Sequence, residues 1–331
     1  MKQSLLSQWL DVLAKQQRLS PHTVAAYRRD MQKLWALYPE HELQTIDAAL
    51  IRQGLAQLHA AGEQPRSLAR RLSAWRRFFQ WFHEQHGPHP NPCKGIRAPK
   101  APQPLPRALS VEQTQQLLDA RPLTGPPSDT PDQTEILAYR DQALFELFYS
   151  CGLRLAELVA LDYRYIDEAG YRSHSWLNTG NQELRVSGKG QQSRLVPIGR
   201  HALQALEYWL SLRTLLLPAI LQQQPAADFP HSAALFLGAR GRRIHPRVIQ
   251  KALAARAREA GLPEHVHPHR LRHSFASHIL QSSQDLRAVQ ELLGHQSIRS
   301  TQIYTRLDFQ HLAQIYDQAH PRAKKNNDPE R

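Results

Sequence analysis

Six side chains in the sequence could together break and rejoin a phosphodiester bond. In chain order they are Arg154, Lys189, His269, Arg272, His295 and Tyr304. Arginines neutralise the non-bridging phosphate oxygens as charge builds up in a transition state. A histidine can assist or donate hydrogen bonds, and a lysine can protonate the departing 5′ oxygen. The set indicates metal-free attack on a phosphodiester, provided that one of its members is the nucleophile.

Tyr304 is the candidate nucleophile. It lies in the segment "GHQSIRSTQIYTRLD", residues 294–308, which is too polar to be core. A tyrosine hydroxyl has an ordinary pKa of about 10, so it attacks poorly until nearby cations and a base favour its ionised form. Attack would leave a covalent phosphotyrosine that keeps the energy of the broken bond, and a free 5′-hydroxyl could then reverse the step. A half-buried helix aromatic is the alternative interpretation of Tyr304.

The segment "HPHRLRHSFASHIL" predicts the helix that carries two of the six. Leu271, Phe275 and Ile279 recur at i, i+4 and i+8 and are predicted to face the core. His269 and Arg272 are three residues apart, so they share another face. We expect that face to be an exposed edge, where a cation beside an imidazole is suited to gripping a phosphate.

A metal site is an alternative role for the same region. His265, His267 and His269 form an H-x-H-x-H pattern, which binds metal when it lies on a strand. Pro268 opens a helix in the middle of this pattern, and no cysteine pair or carboxylate cluster completes a ligand shell. The metal site is therefore the weaker interpretation, and no cofactor is expected.

The other candidate residues occupy junctions between predicted elements. Arg154 follows Gly152-Leu153 between two helices, where free amides at a helix start favour anions. Glu157, three residues later, could hold the guanidinium in a salt bridge. Lys189 lies between two glycines at a hairpin tip that could approach a ligand closely, although a solvated turn lysine is the alternative. His295 follows a glycine that is suited to end a helix.

The charge of the chain indicates a polyanionic partner. The net charge is +13 and the pI about 10.0 over 331 residues. The first 100 residues hold 15 Lys and Arg against 7 Asp and Glu, so this part is the more basic per residue. Arg70, Arg71, Arg76 and Arg77 lie on a helix whose aromatic residues are predicted to be core. We expect these arginines to contact DNA phosphates, and arginines on the wet face of an ordinary core helix are the alternative.

Cysteine content and hydropathy predict a cytoplasmic protein. Cys93 and Cys151 are the two cysteines, and their contexts show no metal-type spacing, which suits a reducing cytosol. No apolar run reaches the roughly 18 residues of a spanning helix. The amphipathic start "MKQSLLSQWLDVLAKQQ" contains Asp11 and does not predict a signal peptide.

The patterning predicts a mainly α fold with a small β-sheet (α+β) in two domains. Residues 1–97 are predicted to be helical throughout, and the Pro-rich basic stretch 98–109 to be a linker. Residues 110–320 mix helices with three strand-like segments, "SWLN", "ELRVSGKGQQSRLVPI" and "ALFL", the second of them a hairpin. Residues 321–331 form a basic and polar tail that is expected to be disordered.

The chain resembles the tyrosine recombinases, the phage integrase family. The resemblance rests on the order Arg, Lys, His-x-x-Arg, His, Tyr and on segments that run from "LSPHTVAAYRRD" through "LGHQSIRSTQIYT" to "LDFQHLAQIYDQAHPRAK". The last segment looks most like the XerC-type chromosome-dimer recombinases. The resemblance implies these roles: Tyr304 as nucleophile, Arg154 and Arg272 on the scissile phosphate, Lys189 as general acid, His269 and His295 assisting, and Glu157 supporting.

The resemblance also implies an architecture and partners. An N-terminal helical, SAM-like core-binding domain and a C-terminal catalytic domain would clamp duplex DNA. Recombinases of this type act with a XerD-type partner, two of each in a tetramer, at a dif-type site. They exchange strands through a Holliday junction to resolve chromosome or plasmid dimers, under the control of an FtsK-type DNA translocase. A helix near 308–318 would dock on a neighbouring subunit.

Two loops depart from the family pattern, and three other functions stay open. The Pro-rich stretch 121–135 and the insertion near 218–230 avoid all six positions, so they affect only loop details and partner contacts. A phage or integron integrase would carry the same six residues. A type IB topoisomerase shares the tyrosine mechanism but fits the N-terminal region less well. A non-catalytic DNA-binding protein is the alternative from a different class, and the completeness of the set argues against it.

Overall fold

The computed structural model of the chain describes residues 2–17, 19–87, 89–99, 108–121, 123, 125–188, 193–262 and 266–283. The chain divides into two compact units, Met1–Leu105 and Pro106–Arg331. The four ranges predicted from the sequence stay predictions, since most of 98–109 and all of 321–331 lie outside the described residues. The same holds for the helix predicted near 308–318.

Helices make up the N-terminal unit. They are Lys2–Asp11 (α1), Pro21–Leu37 (α2), Ala48–Ala60 (α3) and Pro65–His86 (α4), with a π-helical turn at Val12–Gln16 and a 3₁₀ turn at Leu43–Thr45. The Ser20 hydroxyl accepts a hydrogen bond from the backbone N–H of Thr23 at 3.2 Å, and Pro21 takes the first helical position of α2. The predicted helical character of this part of the chain is confirmed.

Large aromatic side chains fill the core of this unit. Trp9, Trp75 and Phe78 are fully buried, and Trp9 meets Phe78 edge-on with ring centroids 5.4 Å apart. The indole N–H of Trp75 donates to the Asp30 carbonyl at 2.8 Å, which satisfies its one polar group inside the core. The aromatics of α4 are therefore core residues, as predicted.

The second unit combines helices with short antiparallel strands. The helices are Val111–Asp119 (α5), Gln133–Cys151 (α6), Leu155–Ala160 (α7), Arg200–Arg213 (α8), Ala219–Gln223 (α9), Pro246–Glu259 (α10) and Pro268–Ser283 (α11). The strands are Asp167–Glu168 (β1), Tyr171–Arg172 (β2), Trp176–Asn178 (β3), Glu183–Ser187 (β4) and Ser193–Pro197 (β5). Strands β3, β4 and β5 form one sheet in that order, while β1 pairs with β2. The predicted mainly α fold with a small sheet is confirmed.

One predicted strand is absent from the described part of the chain, and one predicted loop contains a helix. The segment "ALFL", residues 234–237, forms only isolated bridges from Ala234 to Asp162 and from Leu237 to Arg243. All four residues are buried, and periodicity alone cannot show whether a short buried apolar run forms a strand. The insertion near 218–230 contains α9 and a 3₁₀ turn at Pro225–Asp228.

Helix α6 is the central helix of the second unit. Residues 143–151 are buried around the whole helix, which packs against α5, α8, α10 and α11. Gly152 ends α6 with φ +54°, a left-handed conformation that disfavours residues with a Cβ. A Cβ on Gly152 would lie 2.2 Å from the ring of Phe275 on α11. Glycine is therefore required at position 152 for two reasons, the left-handed turn and the close approach of α11.

Leu109, just before α5, is held through both of its main-chain groups by side chains of α11. Its N–H donates to the Ser274 hydroxyl at 2.8 Å, and its carbonyl lies 2.8 Å from Nε2 of His278. Because a carbonyl only accepts, Nε2 carries the proton and Nδ1 accepts from the Tyr149 hydroxyl at 2.7 Å. Burial lowers the pKa of His278, although the hydrogen bond to Leu109 and the charge of Glu112 oppose the shift.

The Gly152→Ala variant tests the double requirement at the end of α6. We expect the free energy of unfolding to fall by roughly 2–4 kcal/mol, since a left-handed alanine and an overpacked core each carry a cost. Urea denaturation measures the loss. Gly170→Ala is the matched control, because Gly170 has φ +73° with nothing within 4 Å of its Cβ position. An equal loss in both variants would show that the approach of Phe275 carries no cost.

The stability of the chain is expected to fall on acidification in part because of His278. A folded pKa below the ordinary value of about 6.5 means that the unfolded chain binds more protons beneath that pH. The contribution of His278 is thus complete above pH 6.5 and is lost as the pH falls through the folded pKa. Urea denaturation should show a smaller loss between pH 7.5 and pH 5.5 in His278→Gln than in the wild type. Parallel losses would contradict the neutral buried imidazole.

Candidate active site

A buried glutamate joins the first predicted catalytic arginine to a second, unpredicted one. Oε1 of Glu157 accepts hydrogen bonds from Nη1 of Arg154 at 2.8 Å and from Nη1 of Arg194 at 3.0 Å. Oε2 accepts from the Arg154 backbone N–H at 2.8 Å and from Nη2 of Arg194 at 3.0 Å. The side chains of Glu157 and Arg194 are both 7% exposed, whereas that of Arg154 is 41% exposed. One carboxylate therefore orients two guanidinium groups, one of which is open to solvent.

The position of Glu157 follows from the start of α7. Arg154 is the residue that precedes the helix, and Glu157 is its third helical residue, so the carboxylate reaches back to the Arg154 N–H. A negative charge in the first turn of a helix also interacts favourably with the free amides there. The local sequence thereby fixes Glu157 beside Arg154 before any tertiary contact forms.

Helix α11 brings Arg272 to the same carboxylate. Nη1 of Arg272 donates to the Gly152 carbonyl at 2.5 Å and lies 3.8 Å from Oε2 of Glu157. Its side chain is only 10% exposed, so the prediction of an exposed edge was wrong for Arg272. The close approach at Gly152 places this side of α11 against the end of α6. Leu271, Phe275 and Ile279 are fully buried, as predicted.

The pKa values of the cluster reflect burial and mutual charge. Burial lowers the pKa of Arg272 to about 10, helped by the charge of Arg154 and opposed by that of Glu157, so Arg272 stays protonated at neutral pH. Burial alone would raise the pKa of Glu157. Hydrogen bonds from Arg194 and Arg154, together with the charge of Arg194, outweigh this effect and hold that pKa below its ordinary value. The described part of the site thus places three arginines around one ionised carboxylate.

Comparisons with known proteins assign the family. The Phage integrase family matches residues 108–311, and the Phage integrase N-terminal SAM-like domain matches residues 6–86. The chain belongs to the phage integrase family. It is 51% identical to Tyrosine recombinase XerC 1 of Ralstonia nicotianae over 322 residues, 96% of this chain and 93% of that protein. It is 46% identical to Tyrosine recombinase XerC of Pseudomonas aeruginosa (PAO1) over 336 residues, 98% of this chain and 99% of that protein.

These relatives make the chain a XerC-type tyrosine recombinase, an enzyme of site-specific DNA recombination. Two solved structures share the fold. XerH site-specific recombinase bound to palindromic difH substrate, in a post-cleavage complex, matches with TM-score 0.64 and 22% identity, covering 94% of this chain and 84% of that chain. A lambda integrase (75–356) dimer bound to a COC′ core site matches with TM-score 0.63 and 16% identity, covering 91% and 99%. The predicted family is confirmed.

The described residues of the recombinase include part of the predicted catalytic set. Arg154 and Arg272 meet at Glu157, and His269 is exposed on α11 with its ring 6.4 Å from that of His267. Lys189, His295 and Tyr304 lie outside the described residues. The convergence of all six side chains therefore stays a prediction.

Two of the four arginines predicted to contact DNA form ion pairs inside the N-terminal unit. Arg70 contacts the buried carboxylate of Asp30, and Arg71 reaches Asp30 at 3.2 Å and Glu63 at 2.7 Å. The side chain of Arg70 is 44% exposed and that of Arg71 only 15%. These contacts favour Arg70 over Arg71 as a phosphate contact.

The other two predicted DNA-contacting arginines, Arg76 and Arg77, are both exposed but differ in their contacts. Arg76 donates to the main-chain carbonyls of Cys93 at 3.3 Å and Ile96 at 2.9 Å, so it holds the segment that follows α4. Arg77 contacts the side chain of Gln17 on an exposed surface. A DNA-binding role for the four arginines stays a prediction, and Arg70 and Arg77 are its better candidates.

Arg194 is the site residue that the sequence analysis missed. It lies on β5 and shares a buried face with Val196, while Ser193 is exposed and Leu195 half-buried. Side chains alternate across a strand, so a charged residue on the same face as a buried valine points inward and needs a partner. This pattern in "SRLVP" was the available signal.

Metal-binding clusters and membrane-spanning helices are both absent from the described residues. In that part of the chain no group of three or more His, Cys, Asp or Glu side chains lies close enough together to hold a metal ion. His265 of the H-x-H-x-H pattern lies outside it. None of the helices described above has the length and apolar character needed to cross a membrane.

Replacing Glu157 by glutamine is expected to destabilise the recombinase strongly. The change leaves three guanidinium groups without their shared anion, and breaking a buried ion pair in this way costs about 3–5 kcal/mol. Urea denaturation in a buffer without multivalent anions measures the effect. Glu168→Gln is the matched control, because its bond to Arg164 joins side chains that are 51% and 53% exposed. That exposed pair should contribute less than about 1 kcal/mol. Similar losses in the two variants would contradict the central role of Glu157.

Proposed function

We propose that the recombinase cuts and rejoins duplex DNA through a covalent 3′-phosphotyrosine formed by Tyr304. The observation that carries the proposal is the cluster of Arg154 and Arg272 at Glu157. Among the described residues, three guanidinium groups surround one carboxylate, a surplus of two positive charges, and Arg154 presents part of that surplus to solvent. A scissile phosphate at this surface would meet preorganised donors instead of mobile water.

Each predicted residue has one task in this reaction. The Tyr304 hydroxyl gives up its proton to a nearby base, and its oxygen forms a bond to phosphorus while the bond from phosphorus to the 5′ oxygen breaks. Arg154 and Arg272 stabilise the charge on the non-bridging oxygens, with His269 and His295 as further hydrogen-bond donors. Lys189 protonates the departing 5′ oxygen. Attack by a free 5′-hydroxyl reverses every step, so rejoining consumes neither ATP nor a metal ion.

Sequence similarity supports a biological role in the separation of chromosomes. The two relatives described above are both XerC recombinases, and one structure of the same fold is of XerH on difH DNA. The chain would work in the cytoplasm with a XerD-type recombinase, two of each in a tetramer on a dif-type site. It would resolve chromosome or plasmid dimers through a Holliday junction, and an FtsK-type translocase would control the reaction at division.

A Tyr304→Phe variant tests the nucleophile. Purified wild-type chain and its XerD-type partner are incubated with a dif-type duplex that is nicked beside the scissile phosphate, so that the cleaved fragment diffuses away. The wild type should form a covalent protein–DNA adduct that survives SDS. Tyr304→Phe should form no adduct but should shift the same duplex in a native gel with unchanged affinity, because only the attacking oxygen is removed.

Two results would overturn this mechanism. Adduct formation by Tyr304→Phe would assign the attack to another residue. A wild-type chain that binds the duplex in a native gel but never forms an adduct would be a DNA-binding protein without catalysis. Wild-type cleavage should also be undiminished in a chelator, and strict dependence on a divalent ion would favour a metal-assisted reaction.

A further inference from the structure

We propose that Arg194 is a positioning residue for DNA cleavage, which sets the orientation of Glu157 and through it that of Arg154 and Arg272. The inference rests on the proposed function, because it assigns those two arginines to the scissile phosphate. Arg194 would touch neither the phosphate nor the nucleophile. Its effect on the reaction would pass through the Glu157 carboxylate.

The contact between Arg194 and Glu157 fixes a plane as well as a distance. Nη1 and Nη2 of Arg194 each donate to a different carboxylate oxygen, both at 3.0 Å. Two parallel bonds between a planar fork and a planar carboxylate prevent rotation of the acid, which a single bond would permit. The Arg154 guanidinium and backbone N–H bind the same two oxygens. A rotation of the carboxylate would therefore displace the Arg154 side chain.

The sheet supplies a fixed base for Arg194. Strand β5 pairs with β4 along its whole length, and Arg194 faces Val186 in the register. A side chain that starts from a paired strand and is 7% exposed has few alternative conformations. Glu157 comes from α7 and Arg272 from α11. Arg194 thereby connects the three-stranded sheet to the two helix-borne parts of the site.

Stability alone gives a poor reason for this arginine. Arg154 and Arg272 already supply cations beside Glu157, and a further cation that is itself buried adds desolvation cost and repulsion. Replacing a buried ion pair by apolar side chains of similar volume is often neutral or stabilising, so a buried pair is weak evidence for a stabilising role. The bidentate fork instead adds a planar constraint on the orientation of the carboxylate, beyond the two bonds from Arg154.

The test compares cleavage of two nicked dif-type duplexes by Arg194→Met, with the XerD-type partner present. One duplex carries the natural scissile phosphodiester and the other a methylphosphonate, in which a methyl group replaces a charged non-bridging oxygen. Misplaced arginines should matter less on the neutral linkage, since less charge needs stabilisation. On the phosphodiester we expect single-turnover cleavage to slow by about tenfold to a hundredfold at saturating protein, with DNA affinity within about threefold of wild type. On the methylphosphonate the slowing should be at least about tenfold smaller.

Two further variants separate positioning from damage to the fold. Arg194→Lys keeps the charge but loses the fork, so it should give an intermediate loss with the same preference for the neutral linkage. Arg213→Met is the matched control, because Arg213 is also buried but donates to the Ala234 carbonyl at 2.8 Å. It should change cleavage of the two duplexes by equal factors. Thermal melts confirm that each variant is folded at the assay temperature.

The outcomes distinguish this inference from the proposed function. Wild-type rates in Arg194→Lys, and in Arg194→Met if it folds, would overturn the positioning role while leaving Tyr304 chemistry intact. Equal slowing of the two duplexes by either variant would also overturn it, since that pattern indicates general damage. A wild-type chain that forms no adduct on either duplex would instead refute the proposed function.

Discussion

The arginine cluster of the candidate active site depends on the charge of one buried carboxylate. Without Glu157, the guanidinium groups of Arg154, Arg194 and Arg272 would repel one another in a region of low dielectric constant. A single anion reduces that repulsion yet leaves the group cationic, which is the balance that a phosphate-binding site requires. A second acid would remove more of the surplus positive charge, and loss of the acid would let the arginines move apart. The carboxylate therefore sets both the stability of the cluster and its affinity for anions.

The residues around this carboxylate come from three different elements of the second unit. Arg154 and Glu157 come from the start of α7, Arg272 from α11 and Arg194 from β5. The arginines are therefore positioned by the packing of three separate elements of this unit. This arrangement gives the precision that phosphoryl transfer needs, since most of the catalysis in such reactions is positioning and electrostatic stabilisation.

Local signals predicted much of this architecture from the sequence. The capping Ser20 and first-turn Pro21 are local signals for the start of α2, and the spacing of Leu271, Phe275 and Ile279 predicted the buried face of α11. The salt bridge between Glu157 and Arg154 was also predictable, because three residues at a helix start bring the two side chains together. The predicted catalytic pattern lies within the matched family domain, residues 108–311.

Features that depend on long-range packing were not predicted from the sequence. The burial of Arg272 depends on Gly152, 120 residues earlier in the chain, which lets α11 approach the end of α6. Arg194 was missed because its partner is 37 residues away and the pattern of the strand shows only that it points inward. The apolar segment "ALFL" was predicted to be a strand, but apolar content alone does not determine backbone pairing. These are consequences of tertiary contacts that no local window contains.

The attachment of Leu109 to α11 has a mechanical consequence. Ser274 and His278, which hold its N–H and carbonyl, lie two and six residues after Arg272 on the same rigid rod. Tension applied to the chain just ahead of Leu109 would thus reach the arginine-bearing helix through two hydrogen bonds, without first unravelling α5. A pull on the polypeptide at this point would therefore act directly on α11, the helix that carries Arg272.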